Sequence, residues 1–193
     1  MSFRNEDKLF IHSNKMGIFK KYLQSKDVKE TYKPRNIRST YFDNANYEMY
    51  HNSIEGVVPR KKIRIREYPG FNNKFFLEKK ISSVEGRFKT SSELKNLNFF
   101  QRGIKDKNYG LCSPISIVNY KRSYFSLDKI RITIDENITY QKFNLKRIFT
   151  ESLVVVELKY PYKFHNDLVE FNFPFEKIRF SKYCNSIEKI YNI

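Results

Sequence analysis

Five consecutive residues, Lys62-Ile63-Arg64-Ile65-Arg66, constrain this chain more than any other stretch. A β-strand sends successive side chains to opposite faces. Ile63 and Ile65 therefore share one face, and Lys62, Arg64 and Arg66 share the other. The pattern recurs at Lys129-Ile130-Arg131-Ile132-Thr133-Ile134-Asp135, with three isoleucines on one side. In a third run Phe76, Glu78 and Lys80 face one way while Phe75, Leu77 and Ile81 face the other. In Leu153 to Tyr160, Val154, Val156 and Leu158 make an apolar face opposite Val155, Glu157 and Lys159. Near the N-terminus Arg4, Glu6 and Lys8 fall together, and Ile115 to Tyr124 places Tyr120 beside Arg122.

Turn and helix signals separate these runs. Pro69-Gly70-Phe71-Asn72-Asn73 reads as a hairpin loop joining the strand of Arg64 to the strand of Glu78. Asp43 or Asn44 is an N-cap for a short helix through Tyr50. Ser91 or Ser92 would cap a helix through Phe100, Lys15 to Lys33 reads as a solvated helix, and Lys163 to Lys177 is helical in part, broken by Pro174. The expected architecture is one α+β domain over residues 1–193, an antiparallel sheet with short helices.

A charged strand face is ordinarily the solvated side of a half-buried sheet. Here the charged faces are selectively cationic and recur in six segments, while the opposite faces are rich in Ile, Val, Leu and Phe. A sheet closed into a barrel with its charge inward and its apolar face under helices satisfies both facts. Such an interior needs an anion of high charge density, because confined cations repel strongly. Phosphate chains fit, with Arg supplying bidentate forks and Lys point charges. The interspersed glutamates, Glu6, Glu78 and Glu157, then suit a divalent cation bridging the phosphates.

Composition agrees. The 193 residues carry 37 Lys+Arg against 21 Asp+Glu, a net charge of +16, which calls for an anionic partner. With 18 Phe and 14 Tyr the chain has ample material for a core and is not a disordered polymer. No run approaches the roughly 20 apolar residues of a membrane helix, so a cytoplasmic protein is expected. Cys112 and Cys184 form no C-x-x-C pair, and His12, His51 and His165 are scattered, so neither a disulfide framework nor a Cys/His metal site is indicated. The segments around Phe75, Phe125, Phe143, Phe149, Phe171, Phe173 and Phe175 read as packing against the outside of the sheet.

Eight short segments, Arg4-Asn5-Glu6-Asp7-Lys8, Ser39-Thr40-Tyr41-Phe42-Asp43-Asn44, Lys62-Ile63-Arg64-Ile65-Arg66-Glu67-Tyr68, Phe76-Leu77-Glu78-Lys79-Lys80, Tyr120-Lys121-Arg122, Arg131-Ile132-Thr133-Ile134-Asp135, Val156-Glu157-Leu158-Lys159 and Phe180-Ser181-Lys182-Tyr183, occur in a telling order. It resembles that of the VTC domain, the catalytic part of vacuolar transporter chaperone polyphosphate polymerases in the triphosphate tunnel (CYTH-like) superfamily. The resemblance implies an eight-stranded antiparallel barrel, with ATP and polyphosphate as ligands and Mn²⁺ or Mg²⁺ as cofactor. It implies transfer of the ATP γ-phosphoryl group to a growing polyphosphate chain. Residue by residue, it assigns phosphate binding to Lys8, Arg64, Arg66, Lys80, Arg122, Arg131 and Lys182, with Tyr120 and Ser181 as hydroxyl donors. Glu157 takes the metal-ligand position and Lys159 follows on its face. Lys89 is a further candidate cation, and Glu6 a second metal ligand. Arg64, Arg66, Arg131 and Glu157 are the expected catalytic set.

The chain departs from the superfamily's hydrolases, whose first strand commonly reads E-x-E-x-K, because Arg4 holds the first slot. That favours a polymerase over a tunnel triphosphatase acting on tripolyphosphate or nucleoside triphosphates. A non-catalytic polyphosphate or nucleic-acid binding module is the third alternative, and nucleic acid has no place in the first. These residues include neither the SPX domain nor the membrane helices of the eukaryotic assemblies, so export would fall to a membrane partner.

Overall fold

The computed structural model describes residues 4–164 and 166–193. In chain order the elements are β1 (Arg4–His12), α1 (Met16–Ser25), β2 (Lys29–Asp43), α2 (Glu48–Glu55), β3 (Arg60–Tyr68), β4 (Asn72–Ser83) and β5 (Gly86–Leu94). There follow α3 (Phe99–Arg102), β6 (Ile104–Asp106), β7 (Gly110–Leu127), β8 (Ile130–Lys142), β9 (Ile148–Thr150), β10 (Leu153–Pro161), α4 (Asn166–Asn172) and α5 (Lys182–Tyr191). Eight strands are hydrogen-bonded in the order β1-β10-β8-β7-β2-β3-β4-β5, with β6 on β7 and β9 on β8 off that path. The α+β class and the antiparallel pairing are those expected from the alternation, and the eight-strand path is the one the family resemblance implies.

Two compact units divide these elements: Met1–Arg35, Tyr120–Ile138 and Thr150–Phe180 in the first, and Asn36–Asn119, Thr139–Phe149 and Ser181–Ile193 in the second. In the first, β1 pairs with β10 and β10 with β8, both antiparallel. Alternation gives this three-stranded patch an apolar side of Leu9, Ile11, Ile132, Ile134, Val154, Val156 and Leu158, all buried. Met16, Phe19 and Leu23 of α1 and Val169 of α4 close over it together with Phe173. Burial of each large side chain there is worth roughly 1.5–3 kcal/mol, enough to fix which face of every strand turns inward.

The second unit is a four-stranded stretch in which β2, β3, β4 and β5 pair antiparallel in succession. Ile63 and Ile65 are buried on one side of β3. The β3–β4 hairpin turns at Pro69-Gly70 as the sequence indicates, with Gly70 at φ 77°, a conformation glycine adopts without strain. The N-cap of α2 is Tyr47 rather than Asp43 or Asn44, and the helix runs past Tyr50 to Glu55, but both side chains still serve its first turn: Asp43 accepts from the backbone N–H of Met49 and Tyr50, and Asn44 from that of Glu48.

Other expectations need correction. Residues 91–94 belong to β5 rather than to a helix: Ser91 and Ser92 stand opposite Glu78 and Leu77, and strand pairing overrides the capping signal. Helix α3 is confined to Phe99–Arg102. The Lys15–Lys33 segment is not one solvated helix, since α1 ends at Ser25, the chain turns at Asp27 (φ 55°), and Lys29 already opens β2. Phe171 is 74% exposed and lies under the Lys26 ammonium, so it is not a packing residue, whereas Phe173 is buried and Phe125 and Phe175 pack on the first core. His12 and His51 are exposed, and His165 lies outside the described residues.

Candidate phosphate and metal site

In the first unit the face opposite the apolar core carries the charge. The register sets Glu6 opposite Lys159 and Lys159 opposite Arg131, and in the next row Lys8 opposite Glu157 and Glu157 opposite Thr133. The Lys159 ammonium lies 2.5 Å from Glu157 Oε1 and 3.9 Å from Glu6 Oε2, and Lys8 lies 3.8 Å from Glu6 Oε1. Lys8 Nζ also donates to the Phe180 carbonyl at 2.6 Å. Glu157 is only 8% exposed. Burial alone would push its carboxyl up, but the charges of Lys159, Arg122 and Lys8 hold it well below the usual carboxylate range.

Arg122, on β7, is clamped in a bidentate pair: its Nε donates to Asp135 Oδ1 at 2.6 Å and its Nη2 to Oδ2 at 2.7 Å. Its guanidinium sits 5.4 Å from the centre of the Tyr120 ring. The clamp was not anticipated, although the alternation that places Arg131 and Thr133 on this face also places Asp135 there. Thr133 is buried and its hydroxyl has no hydrogen-bond partner among the described residues. Arg131 is exposed next to Lys159 in the register.

The second unit gathers a denser cationic face. Arg64 Nε donates to Glu78 Oε2 at 2.8 Å, and its Nη1 donates to the Tyr41 hydroxyl at 3.0 Å. Arg66 Nη1 lies 3.7 Å from Glu78 Oε1, and Lys89 Nζ donates to the same oxygen at 2.7 Å. Burial would raise the Glu78 carboxyl, but Arg64, Arg66 and Lys89 bring it down to about 2. Lys80 stands between Lys62 and Lys89 in the register, at an exposed position.

Helix α5 starts at this face. Ser181 is its N-cap, accepting from the Cys184 N–H at 3.2 Å, and its hydroxyl also accepts from Lys62 Nζ at 2.9 Å. Lys182 is the first helical residue. The Tyr183 hydroxyl donates to Asp43, which ties α5 to the end of β2. Here the sequence reading missed Lys62 and Glu78 as members of the cluster. Alternation had set both on the charged face, but which cation meets which carboxylate depends on cross-strand register, which a single strand does not show. Ser39, opposite Arg66, is a second buried hydroxyl without a hydrogen-bond partner among the described residues.

Lys8, Tyr120, Arg122, Arg131, Glu157, Lys159 and Glu6 thus come together in the first unit. Arg64, Arg66, Lys80, Lys89, Ser181 and Lys182 belong to the second. Oxygen donors from Glu6 and Glu157 fit a hard divalent cation, which takes one or two carboxylates with waters and substrate phosphates. Among the described residues no group of three or more His, Cys, Asp or Glu could hold a metal, so there is no all-protein cage. The two acids are held by lysines, single-point cations that a divalent ion can displace more readily than an arginine fork. No helix among the described residues is long and apolar enough to cross a membrane.

Comparisons with known proteins show the family and the fold. The VTC domain family matches residues 3–191. A candidate adenylate cyclase from Vibrio parahaemolyticus has a similar fold, with TM-score 0.59 and 14% identity over 96% of this chain and 98% of its own. A Pyrococcus horikoshii protein aligns with TM-score 0.57 and 11% identity over 90% of this chain and 92% of its own. A conserved hypothetical protein from Pyrococcus furiosus aligns with TM-score 0.57 and 13% identity over 94% and 99%. No curated protein matches the sequence significantly. With the family match spanning nearly the whole sequence, the chain belongs to the VTC domain family.

Proposed function

We propose that this chain is a polyphosphate polymerase, moving the γ-phosphoryl group of ATP to the end of a polyphosphate chain with Mn²⁺ or Mg²⁺. The observation that carries the reading is the second unit's face, where Lys62, Arg64, Arg66, Lys80 and Lys89 share three adjacent strands with one buried carboxylate, Glu78. Such a surface is complementary to a polyanion that brings several charges per ligand.

In this reading Arg64 and Arg66 grip non-bridging oxygens with their forks, and Lys80, Lys89 and Lys182 add point charges. Lys8, Arg122, Arg131 and Lys159 do the same in the first unit, with the Tyr120 and Ser181 hydroxyls as donors. Glu6 and Glu157 would hold the divalent ion, which when bound neutralises phosphate charge. A terminal oxygen of the polyphosphate chain attacks the γ-phosphorus, and the bond from that phosphorus to the β,γ-bridging oxygen breaks. The electron pair leaves with ADP, so ATP and a chain of n phosphates give ADP and a chain of n+1. No protein nucleophile is required, because positioning and charge neutralisation make up most of phosphoryl-transfer catalysis. The reaction is placed in the cytoplasm, and a membrane protein would take up the product.

Phosphorus NMR of the purified protein with ATP and Mn²⁺ tests the reading. Internal phosphates of long chains are expected beside ADP. Orthophosphate as the sole phosphate product would make the chain a triphosphatase with water as acceptor, and binding without turnover would make it a sensor.

A further inference from the structure

Beyond the charged rows, the first unit carries an aromatic and guanidinium cluster that phosphate chemistry does not explain. Tyr124 lies two residues past Arg122 on β7, so the alternation that aligns Tyr120 and Arg122 puts Tyr124 on the same side, about 6.6 Å farther along the strand. Tyr32 of β2 meets it edge to face, with ring centres 5.8 Å apart and planes at 87°. The Arg35 guanidinium sits 5.8 Å from the Tyr32 ring centre and 5.7 Å from that of Tyr124.

This cluster is not a core feature. Tyr32 is 62% exposed, an unusual place for a large ring already fixed by two neighbours. Holding a tyrosine in one orientation at the surface costs side-chain entropy and leaves apolar area in water. A flat, pre-oriented ring beside a guanidinium is what a nucleobase stacks on, and such stacking is worth roughly five- to a hundredfold in affinity. Arg122, one strand step away, is coupled electrostatically to Glu157. A base lying flat on the Tyr32 ring, with the perpendicular Tyr124 ring and Arg35 holding that ring in place, would therefore direct its phosphates toward that charged row.

We propose that Tyr32, Tyr124 and Arg35 form a stacking site for the purine base of the nucleoside triphosphate, a deepening that rests on reading the chain as an ATP-using enzyme. Stacking tolerates any base and rewards the larger ring surface, so ATP and GTP should bind alike and pyrimidine triphosphates more weakly.

The test is calorimetric titration of wild type, Tyr32→Ala and Tyr32→Phe with ATP, GTP and tripolyphosphate. ATP and GTP should each weaken about tenfold in Tyr32→Ala, tripolyphosphate should stay within twofold, and Tyr32→Phe should restore purine binding. Equal loss for ATP and tripolyphosphate, or no loss for ATP, would overturn the base site while leaving the enzyme reading standing. Wild type that binds neither ATP nor tripolyphosphate would overturn that reading, and the base site with it.

Discussion

The two units solve the same electrostatic problem with different side chains. In the first, two carboxylates, Glu6 and Glu157, are held by lysines, while one arginine of the group, Arg122, is locked onto Asp135. In the second, one buried carboxylate, Glu78, lies among Arg64, Arg66 and Lys89. Acids and cations nearly balance in the first cluster, whereas cations dominate the second. The difference suits the two roles proposed above: lysine-held acids can exchange partners for a metal ion, and a cation-rich face with little acid nearby is left to attract phosphate.

The largest expected effect comes from setting one unit against the other. Glu157→Gln should lower metal-dependent turnover about a hundredfold or more, the usual scale for removing a group that stabilises developing charge. Tripolyphosphate binding measured without metal should be kept or tightened. Arg66→Ala should do the reverse, weakening tripolyphosphate about tenfold or more whether or not metal is present. If Glu157→Gln and Arg66→Ala proved alike in both titrations, the division of labour would be wrong.

Acid unfolding sharpens the comparison next. The Glu78 carboxyl is brought down from its ordinary 4.5 to about 2, so its ionised form favours the folded state above pH 4.5. That contribution, on the order of 3 kcal/mol at about 1.4 kcal/mol per pH unit, fades as pH falls from 4.5 through about 2. Glu78→Gln should lower stability at pH 7 by a similar amount and flatten the acid limb of a denaturant-midpoint profile. An unchanged acid limb would mean that the arginines do not act on Glu78.

The smallest effect concerns Thr133, the register partner of Glu157. Its buried hydroxyl lacks a hydrogen-bond partner among the described residues, and burying such a group costs stability. Thr133→Val, nearly the same shape, should be neutral or raise ligand-free stability by up to about 1 kcal/mol in thermal unfolding. A loss above that size would show that the hydroxyl is engaged.

Much of this was legible in the chain. Strict alternation fixed the faces of Arg64, Arg66, Arg131, Glu157 and Lys159, because a one-residue slip would expose Ile63, Ile65 and Ile132 and bury the charges. The hairpin at Gly70 could also be read, since its chemistry is local. Pairings between distant strands could not be, and so the Glu78 cluster and the Arg122–Asp135 clamp came only from register. Residues 91–94 misled for the same reason: Ser-Ser-Glu is a capping signal in isolation, yet pairing with β4 holds the segment extended. Helix α5 has no counterpart in the sequence reading, because the Ser181 hydroxyl that caps it suits a phosphate equally well and does not by itself mark a helix start.

The most direct test of the account is a crystal structure with tripolyphosphate and Mn²⁺ bound. The prediction is ordered phosphates against Arg64, Arg66, Lys80 and Lys89, with an anomalous manganese peak within coordination distance of Glu6 and Glu157. Phosphates found only on surfaces away from these strand faces, or manganese bound elsewhere, would contradict it.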